Sequence, residues 1–519
     1  MKPDRIYILI TVFTAGLASL AVELSASRLL GNVFGTSNLV WATIIGLILI
    51  YLTVGYTIGG RWADKSPYPT TFFKILLWAA FFIGLVPLVS RPILRLSAEA
   101  FDALNIGILA GSFISVIVLF ILPVTLLGTA SPFGLRLLLN DPAATGRTAG
   151  LVSAVSTGGS FIGTFLPVLL LIPTIGTYRT FLAIGGLLML VALGGLWQAA
   201  GPRTVLRFVW MPLILILLAI FGVQGWDRST QGMIYEKETP YNYIQVLELD
   251  GYRYLRLNDG QGMHSVYHPQ EIDYHGPWEQ VMVAPMFNAQ FDPAGVERAA
   301  IVGLAAGTTA RQLTAVYGAI PIDGYEIDPD IIEVGQRYFG MDLPNINAIA
   351  EDGRWGLEHS PYRYDIISVD AYRPPYIPPH LTTREFFQMV HDHLTEDGVM
   401  AINIGRSPED RQLIDALGTT IDSVFSDVYV MDVPYSFNSV LFATRQPTRL
   451  ENFYANYLAI VNRSDINPLL ITTAQTTIAS LQPHPAVSQV FTDDLAPIEW
   501  LTNNLVLSYL FTEGVEGLQ

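Results

Sequence analysis

Three acidic residues in the C-terminal half follow apolar runs, and their spacing suits the recognition of a nucleoside. Glu326, Asp352 and Asp370 each come just after a short apolar segment. A carboxylate at the end of a parallel strand can accept hydrogen bonds from both hydroxyls of a ribose. A turn of small residues from Gly303 to Gly307 precedes the first of these acids and would let the backbone approach a ligand closely. The sequence therefore predicts a nucleoside site.

The elements that must position these acids alternate between strand and helix patterns, which favours an α/β fold with a doubly wound, mostly parallel, Rossmann-like sheet. Strands are predicted near 299–304, 321–326, 346–350, 364–369, 398–403, 427–432 and 438–444, and helices near 307–318, 329–339, 354–360, 382–394 and 408–424. The last two strands are predicted to form an antiparallel hairpin. Upstream, alternation from 233 to 268 around Asp250-Gly251 predicts a small β-rich domain.

The N-terminal part has a different composition and predicts a multi-pass membrane module. The whole chain is 51% hydrophobic and only 14% charged, which is too apolar for a single soluble domain. Seven apolar runs of about spanning length are predicted as transmembrane helices: 6–27, 38–58, 72–93, 106–127, 149–173, 179–199 and 205–224. We therefore divide the chain into a membrane module (1–225), a small β-rich domain (226–288) and a Rossmann-like domain (289–519).

Charge and residue counts exclude several classes of function. Residues 1–225 carry 13 basic and 6 acidic residues, net +7, whereas the remainder has a net charge of −23. An acidic domain of this kind is a poor binder of nucleic acid. The chain has no cysteine, which excludes disulfides and thiolate chemistry, and its eight histidines form no HxxxH or HxH pair. We therefore expect no nucleic-acid partner and no metal site.

Several segments of the C-terminal part resemble the nucleotide-binding core of spermidine synthases, the polyamine aminopropyltransferases. The segments are GLAAGTTA, YEIDPDII, EDGR and YDIISVDAYRPPYIPPHLTTREFF, with ETPYNYIQVLE upstream and FTDDLAPIEW downstream. The resemblance covers about the last 290 residues, and the N-terminal part is similar to the multi-pass module fused to such domains in bacterial membrane proteins. It implies a transferase of polyamine biosynthesis. Its co-substrate would be decarboxylated S-adenosylmethionine or S-adenosylmethionine, its acceptor an amine or another small molecule, and a homodimer is a further expectation.

The resemblance also assigns expected roles to single residues. Those expected to hold the nucleoside are Gly303 and Gly307 in the turn, Glu326 on the ribose, Asp352 with Gly353 on the adenine, and Asp370. Asp370 matches the first acid of the family's active-site loop and is the predicted catalytic residue. Tyr241-Asn242 and Tyr274-His275 match Tyr-Gln and Tyr-His segments, which implies adenosine or substrate contact by Asn242, Tyr274 and His275. The alternative for these aromatic residues is a role on a strand surface.

The half of the site that would hold the reacting groups departs from the family pattern. Ala306 stands where the family has the Asp that receives the donor's amine, Arg373 stands where it has a second acid, and Met263 falls near a family Gln. Arg373 in the site would bind a neutral or anionic group rather than a polyamine. Three alternatives therefore stay open: aminopropyl transfer to an altered acceptor, another S-adenosylmethionine-dependent reaction such as methyl transfer, and a non-catalytic domain that senses a nucleoside or polyamine for a transporter-like module.

The location of the soluble domain is the last expectation from sequence, and two arguments oppose each other. Basic residues concentrate on the side of the N-terminus, which predicts a cytoplasmic N-terminus and a multi-pass protein of the cell membrane. Seven spans would then place the soluble domain outside. S-adenosyl donors are cytoplasmic compounds, however, and on this ground the expectation leans towards a cytoplasmic domain in contact with the lipid bilayer only through its membrane module.

Overall fold

The computed structural model describes residues 4–34, 38–104, 108–139, 141–222, 231–258, 262–372, 377–407 and 410–502. The chain divides into two compact units. The first comprises residues 1–229 with 238–240, and the second comprises residues 230–237 with 241–519. The small β-sheet and the large α/β sheet therefore belong to the same compact unit.

The first unit is mainly helical in its described residues. Its helices are Arg5–Phe34 (α1), Asn38–Lys65 (α2), Pro69–Leu104 (α3), Ile108–Gly128 (α4), Ala130–Leu138 (α5), Thr145–Leu166 (α6), Ile172–Ile175 (α7), Thr177–Ala200 (α8), Pro202–Leu206 (α9) and Trp210–Leu217 (α10). Six helical stretches of the described chain are long and apolar enough to cross a membrane: Arg5–Gly31, Val40–Lys65, Pro69–Ser90, Phe113–Leu138, Thr145–Ile175 and Thr177–Ala200.

The seventh apolar run differs from the prediction of a full-length span. It is divided, because α9 ends at Leu206 and a turn separates it from α10, so the described apolar helix Trp210–Phe221 is shorter than a span. This helix still runs alongside α3 in the same direction. The ring of Trp210 packs on Phe81 with centroids 5.1 Å apart, and Leu215 lies against Gly84 further along α3.

The small sheet of the second unit contains the strands Met233–Glu238 (β1), Tyr243–Leu249 (β2), Tyr252–Leu257 (β3) and Ser265–Tyr267 (β4), in this spatial order. Leu249 pairs with Tyr252 in the antiparallel register, so only Asp250 and Gly251 form the connection. Their φ angles of 51° and 87° are both left-handed, as a two-residue hairpin turn requires. The predicted hairpin is confirmed.

The strands of the large sheet are Ala299–Val302 (β5), Ile322–Tyr325 (β6), Ile346–Ile349 (β7), Tyr364–Val369 (β8), Leu394–Gly405 (β9), Asp427–Asp432 (β10), Asn438–Thr444 (β11) and Leu481–Gln482 (β12). Their spatial order is β12-β10-β11-β9-β8-β5-β6-β7. The helices of this unit are Pro277–Gln280 (α11), Thr308–Tyr317 (α12), Pro329–Tyr338 (α13), Gly353–Glu358 (α14), Arg384–His393 (α15), Gln412–Asp422 (α16), Leu450–Ile460 (α17) and Pro468–Ser480 (α18).

Strands β7, β6, β5, β8 and β9 are parallel, whereas β10, β11 and β12 are joined by antiparallel pairings. The predicted doubly wound sheet and its terminal hairpin are therefore confirmed. Alternate residues of β5 enter different apolar clusters: Ala300 and Val302 pack on one face, and Ala299 and Ile301 on the other. This period of two shows that both faces of the sheet are covered.

The turn after β5 depends on a residue without a side chain. Gly303 has a φ of +90°, and a Cβ at this position would lie 2.4 Å from the carbonyl oxygen of Asp370 and 2.6 Å from the Cα of Ala371. These are backbone atoms of the loop after β8, so they cannot move aside as a side chain would. The close approach of two strand ends therefore requires glycine here.

We predict that Gly303→Ala destabilises the α/β unit more than Gly318→Ala. Gly318 also has a positive φ, of +79°, but a Cβ there would meet nothing within 4 Å. Gly318→Ala should cost about 1–2 kcal/mol for its backbone conformation alone. Gly303→Ala should cost about 1–3 kcal/mol more from overpacking. Pulse proteolysis of the full chain in detergent, in increasing urea with detection of a C-terminal tag, measures both losses, and equal losses would contradict the steric argument.

Candidate active site

The predicted acids and the small-residue turn meet at one edge of the large sheet. Because β5, β6, β7 and β8 are parallel, the segments that follow their carboxyl ends lie side by side. Gly303 follows β5, Glu326 follows β6, Asp352 follows β7 by three residues, and Asp370 follows β8. The edge therefore presents three carboxylates around a turn of small residues.

Glu326 connects this turn to the second strand. Its Oε2 accepts a hydrogen bond from the backbone N–H of Ala305 at 3.0 Å, and its Oε1 accepts one from the N–H of Asp328 at 3.1 Å. Burial raises the pKa of Glu326 to about 7, although the two backbone donors act in the opposite direction. Each carboxylate oxygen has a second lone pair, so the side chain can still accept further hydrogen bonds.

The turn itself has a strained backbone and is fixed from the small sheet. Ala305 has a φ of +46°, which is uncommon for a residue with a side chain and costs about 1–3 kcal/mol. Gly307, with a φ of +85°, begins α12. The N–H of Ala306 donates to the hydroxyl of Ser265 in β4 at 3.0 Å. The small sheet therefore holds the turn that faces the predicted ligand.

Asn242 makes two side-chain hydrogen bonds in the same region. Its Nδ2 donates to Oδ2 of Asp328 at 3.0 Å, and its Oδ1 accepts from Nδ2 of Asn258 at 3.1 Å. Asn242, Asn258 and Asp328 are all buried. Asn242 is thus a hydrogen-bond partner of the segment after β6, which also contains Glu326. The sequence alone did not indicate this role.

Asp352 lies over the end of β7 and caps α14. Its Oδ1 accepts from the N–H groups of Arg354 and Trp355 at 3.0 and 3.1 Å, and its Oδ2 lies 3.0 Å from Nε2 of His380. The hydrogen bond with His380 is the main reason why the pKa of Asp352 is lowered. Gly353 begins the helix directly above β5, since a Cβ there would lie 2.5 Å from Val302.

Asp370 follows β8 and is held by the neighbouring strand β9. Its Oδ1 accepts from Nδ2 of Asn403 at 2.9 Å. Burial raises the pKa of Asp370 to about 6, with the hydrogen bond from Asn403 acting against this shift. The hydroxyl of Tyr372 donates to the carbonyl of Asn403 at 3.1 Å and accepts from the N–H of Gly405 at 2.7 Å. Asp370 is thus fixed in position and protonates more readily than an ordinary aspartate.

Tyr274 and His275 have other partners in the structure. The hydroxyl of Tyr274 donates to the carbonyl of Glu271 at 2.9 Å. His275 pairs with Asp273 at 3.1 Å, and its side chain is 86% exposed. Among the described residues, neither ring hydrogen-bonds to Glu326, Asp352 or Asp370. His275 lines a cleft of about 330 Å³ with Asp273, Glu279, Gln280, Pro434, Tyr435 and three threonines of α18.

The positions that depart from the expected pattern have different surroundings. Ala306 is fully buried in an apolar cluster with residues of β2, β3 and α13, including Ile244 and Leu255. Met263 is 51% exposed. Arg373 lies outside the described residues. The described part of the chain holds no group of three or more acidic, histidine or cysteine side chains arranged for a metal ion.

Sequence reasoning missed two side chains that touch the predicted acids, His380 and Asn403. His380 contacts Asp352 across 28 residues of chain, and Asn403 contacts Asp370 across 33. Neither contact leaves a local spacing pattern. Asn403 occupies the end of β9 beside β8, so a correct strand order would have been enough to find it.

Known proteins are similar to the C-terminal part of this chain. The model of the family described as spermine/spermidine synthase domain matches residues 279–454. A probable polyamine aminopropyl transferase of Bifidobacterium longum is 33% identical over 295 residues, which cover 54% of this chain and 64% of that protein, less than two thirds of its length. A polyamine aminopropyltransferase of Vibrio vulnificus is 30% identical over 233 residues, which cover 43% of this chain and 73% of that protein.

Among solved structures, the spermidine synthase from Thermotoga maritima is similar, with a TM-score of 0.39 and 22% identity over 48% of this chain and 84% of that chain. The sequence relationships include a relative that is 30% identical and matched over more than two thirds of its length. Through its C-terminal part, this chain belongs to the spermine/spermidine synthase family, whose members include the polyamine aminopropyltransferases.

Proposed function

We propose that the α/β unit binds decarboxylated S-adenosylmethionine, or a close S-adenosyl or 5′-thioadenosyl relative, along the edge formed by Gly303, Glu326, Asp352 and Asp370. The observation that carries this proposal is Glu326, a buried carboxylate that the turn and the second strand fix from both sides. A ribose diol would complete its hydrogen bonds, and a base bound beside it would lie over the next strand end, where Asp352 is located.

The reaction that fits this arrangement is the transfer of an aminopropyl group. The lone pair of an acceptor amine forms a bond to the aminopropyl methylene carbon next to the sulfonium sulfur. The bond between this carbon and sulfur breaks, and its electron pair stays on sulfur to give 5′-methylthioadenosine. The proton lost by the amine passes to Asp370. A carboxylate whose pKa is raised to about 6 accepts this proton more readily than an ordinary aspartate.

The acceptor in this proposal is not a simple diamine. Ala306 is buried among apolar residues, so no carboxylate is present at that position to hold an ammonium group. Arg373 adds a positive charge to the loop after β8, and a cation there disfavours a polycationic acceptor. We therefore propose an amine whose remainder is neutral or anionic.

Methyl transfer from S-adenosylmethionine is the second candidate. Ala306 favours methyl transfer. It replaces the family's Asp, to which the resemblance assigns the binding of the amine of an aminopropyl donor. The two candidates share the nucleoside site and differ in the product formed from the sulfonium: 5′-methylthioadenosine for aminopropyl transfer, and S-adenosylhomocysteine for methyl transfer.

The affinity for 5′-methylthioadenosine should rise with pH. Burial raises the pKa of Glu326 to about 7, so below pH 7 the carboxyl group of the empty site is mostly protonated. The contribution of this protonated group to the stability of the folded chain is lost as pH rises from 4.5 through 7. A ribose diol prefers the ionised form, which accepts from both hydroxyls. We expect affinity to increase about fivefold to tenfold between pH 6 and pH 8.

Isothermal titration calorimetry of the full chain in detergent measures this dependence. Glu326→Gln should weaken binding about tenfold at pH 8 and remove most of the pH dependence. Glu333→Gln changes an exposed carboxylate on α13 and should leave the profile as in the native chain. A flat profile for the native chain would contradict the role given to Glu326.

Asp370→Asn should reduce turnover about 100-fold or more, because the amide cannot take up the proton. Binding of 5′-methylthioadenosine should change by less than about threefold, since the geometry of the side chain is retained. The assay follows release of 5′-methylthioadenosine from the decarboxylated donor with putrescine and with amines that carry a neutral or anionic group. Asp392→Asn, at an exposed position on α15, is the control. Full turnover by Asp370→Asn would exclude Asp370 as the proton acceptor.

We also propose that the first unit anchors the chain in a membrane with the α/β unit on the cytoplasmic face. The six long apolar helices support anchoring in the membrane. The cytoplasmic face is supported by the fact that S-adenosyl donors are cytoplasmic compounds. The chain has no cysteine, so a single Val487→Cys, at a position that is 95% exposed, reports on the face directly. The thiol should resist a membrane-impermeant maleimide in intact cells and react after permeabilisation. Labelling in intact cells would contradict a reaction that uses a cytoplasmic donor.

A further inference from the structure

Glu23 is an acidic residue inside a helix that is long and apolar enough to cross a membrane. The apolar stretch of α1 runs from Arg5 to Gly31, and Glu23 lies eight residues before its end, about 12 Å along the axis. Side chains of a helix lean towards its N-terminus, so this carboxyl group leans away from the nearer end. An acid so deep in an apolar stretch is costly unless a partner compensates its charge.

The described part of the chain supplies no such partner to Glu23. No hydrogen bond or ion pair joins Glu23 to another described residue. Ser19, one turn before Glu23, is buried, and its hydroxyl has no hydrogen-bond partner among the described residues. In contrast, the hydroxyl of Ser25 donates to the carbonyl of Ala21 at 2.7 Å, the usual bond of a serine in a helix. Glu23 and Ser19 therefore present oxygen atoms that can still bind a ligand.

Glu23 is on the side of α1 that packs against α6. Gly16 is two turns before Glu23 on the same side of the helix. It lies against the backbone carbonyl of Ser156 in α6, and its own carbonyl accepts a hydrogen bond from the hydroxyl of Ser160 at 3.1 Å. The side of α1 that contains Glu23 is therefore directed towards α6.

The helices α1 and α6 run in the same direction. Gly159 lies beside the carbonyl oxygen of Phe13, and Gly163 lies beside that of Leu17. Four residues along one helix thus correspond to four along the other. Because neither glycine has a side chain, the two backbones approach each other closely on this side.

At the depth of Glu23 the regular helix α6 has ended. Six residues beyond the contact of Gly163 with Leu17, Glu23 is level with Leu169. Leu169 belongs to a π-helical segment, Pro167–Leu171, that follows α6, and such segments are frequent at functional sites. Pro167 has no N–H and cannot donate to the carbonyl of Gly163 as another helical residue would. This carbonyl is a further oxygen acceptor beside α1.

The three groups have the chemistry of a cation site. A carboxylate, a hydroxyl and a backbone carbonyl without its helical donor all present oxygen lone pairs. Carbonyls of interrupted helices bind cations in membrane transporters in this way. The single carboxylate balances one positive charge, which suits a monovalent cation better than a divalent one.

We propose that Glu23, Ser19 and the carbonyl of Gly163 form a binding site for one small monovalent cation, either Na⁺ or a primary ammonium ion. The two cations share the chemistry that the site recognises, because each is bound by a few oxygen acceptors around one positive charge. This inference is independent of the nucleoside edge. The first unit then has a ligand of its own in addition to its proposed role as an anchor.

The experiment measures binding of radiolabelled Na⁺ and of radiolabelled methylammonium to the full chain in detergent. Scintillation proximity detects the bound label at pH 8 in a buffer of N-methylglucamine, which is too large for the site. The native chain should bind about one cation per chain, because one carboxylate balances one charge. Glu23→Gln should weaken binding at least about tenfold.

Three further variants separate the site from the stability of the helices. Glu23→Asp retains the charge and should bind more tightly than Glu23→Gln. Pro167→Ala restores the N–H that can pair with Gly163 and should weaken binding about threefold to tenfold. Asp64→Asn is the matched control, since the side chain of Asp64 on α2 is 78% exposed and lies 3.6 Å from Arg136; it should bind as the native chain does.

Each outcome bears on the inference. Binding that is lost in Glu23→Gln and kept in Asp64→Asn supports it, and the label that binds more tightly identifies a metal ion or an ammonium ion as the ligand. No saturable binding of either label to the native chain would overturn it. Equal binding by the native chain and Glu23→Gln would also overturn it, as would equal loss in Glu23→Asp and Glu23→Gln when both elute as the native chain in gel filtration.

Discussion

The site depends first on the carboxylate of Glu326, which adds side-chain hydrogen bonds between the segments that follow the paired strands β5 and β6. Its hydrogen bonds with the N–H groups of Ala305 and Asp328 connect the turn after β5 with the segment after β6. These bonds help to hold Ala305 in a left-handed conformation, and Asn242 fixes Asp328 from the small sheet. A buried carboxylate needs such partners, because burial without hydrogen bonds is costly.

The three acids at this edge differ in pKa because their surroundings differ. Burial raises the pKa values of Glu326 and Asp370, whereas the hydrogen bond from His380 is the main cause of the lowered pKa of Asp352. An acid that remains ionised suits the recognition of N–H donors on a base. An acid with a raised pKa suits the uptake of a proton from an amine. Carboxyl groups along one sheet edge can therefore differ in their affinity for a proton.

Much of this architecture could be predicted from the sequence, because alternating runs, turn residues and caps are local signals. The strands from β5 to β8, and the Asp250-Gly251 turn, follow directly from such signals. The contacts of Asn242, His380 and Asn403 could not be predicted, since each joins segments that only the strand order brings together. The composition of the seventh apolar run predicts a full span, because composition does not register the turn between α9 and α10.

The chain belongs to the spermine/spermidine synthase family, and we propose that it has a nucleoside-binding edge beside an acceptor side that is altered at Ala306 and Arg373. The central claim is that this edge binds a thioadenosyl nucleoside. Cryo-electron microscopy of the full chain with saturating 5′-methylthioadenosine tests this claim most directly. The account predicts density with the ribose hydroxyls within hydrogen-bond distance of Glu326 and the adenine beside Asp352. Density for the nucleoside at another position, or an empty edge at saturation, would contradict it.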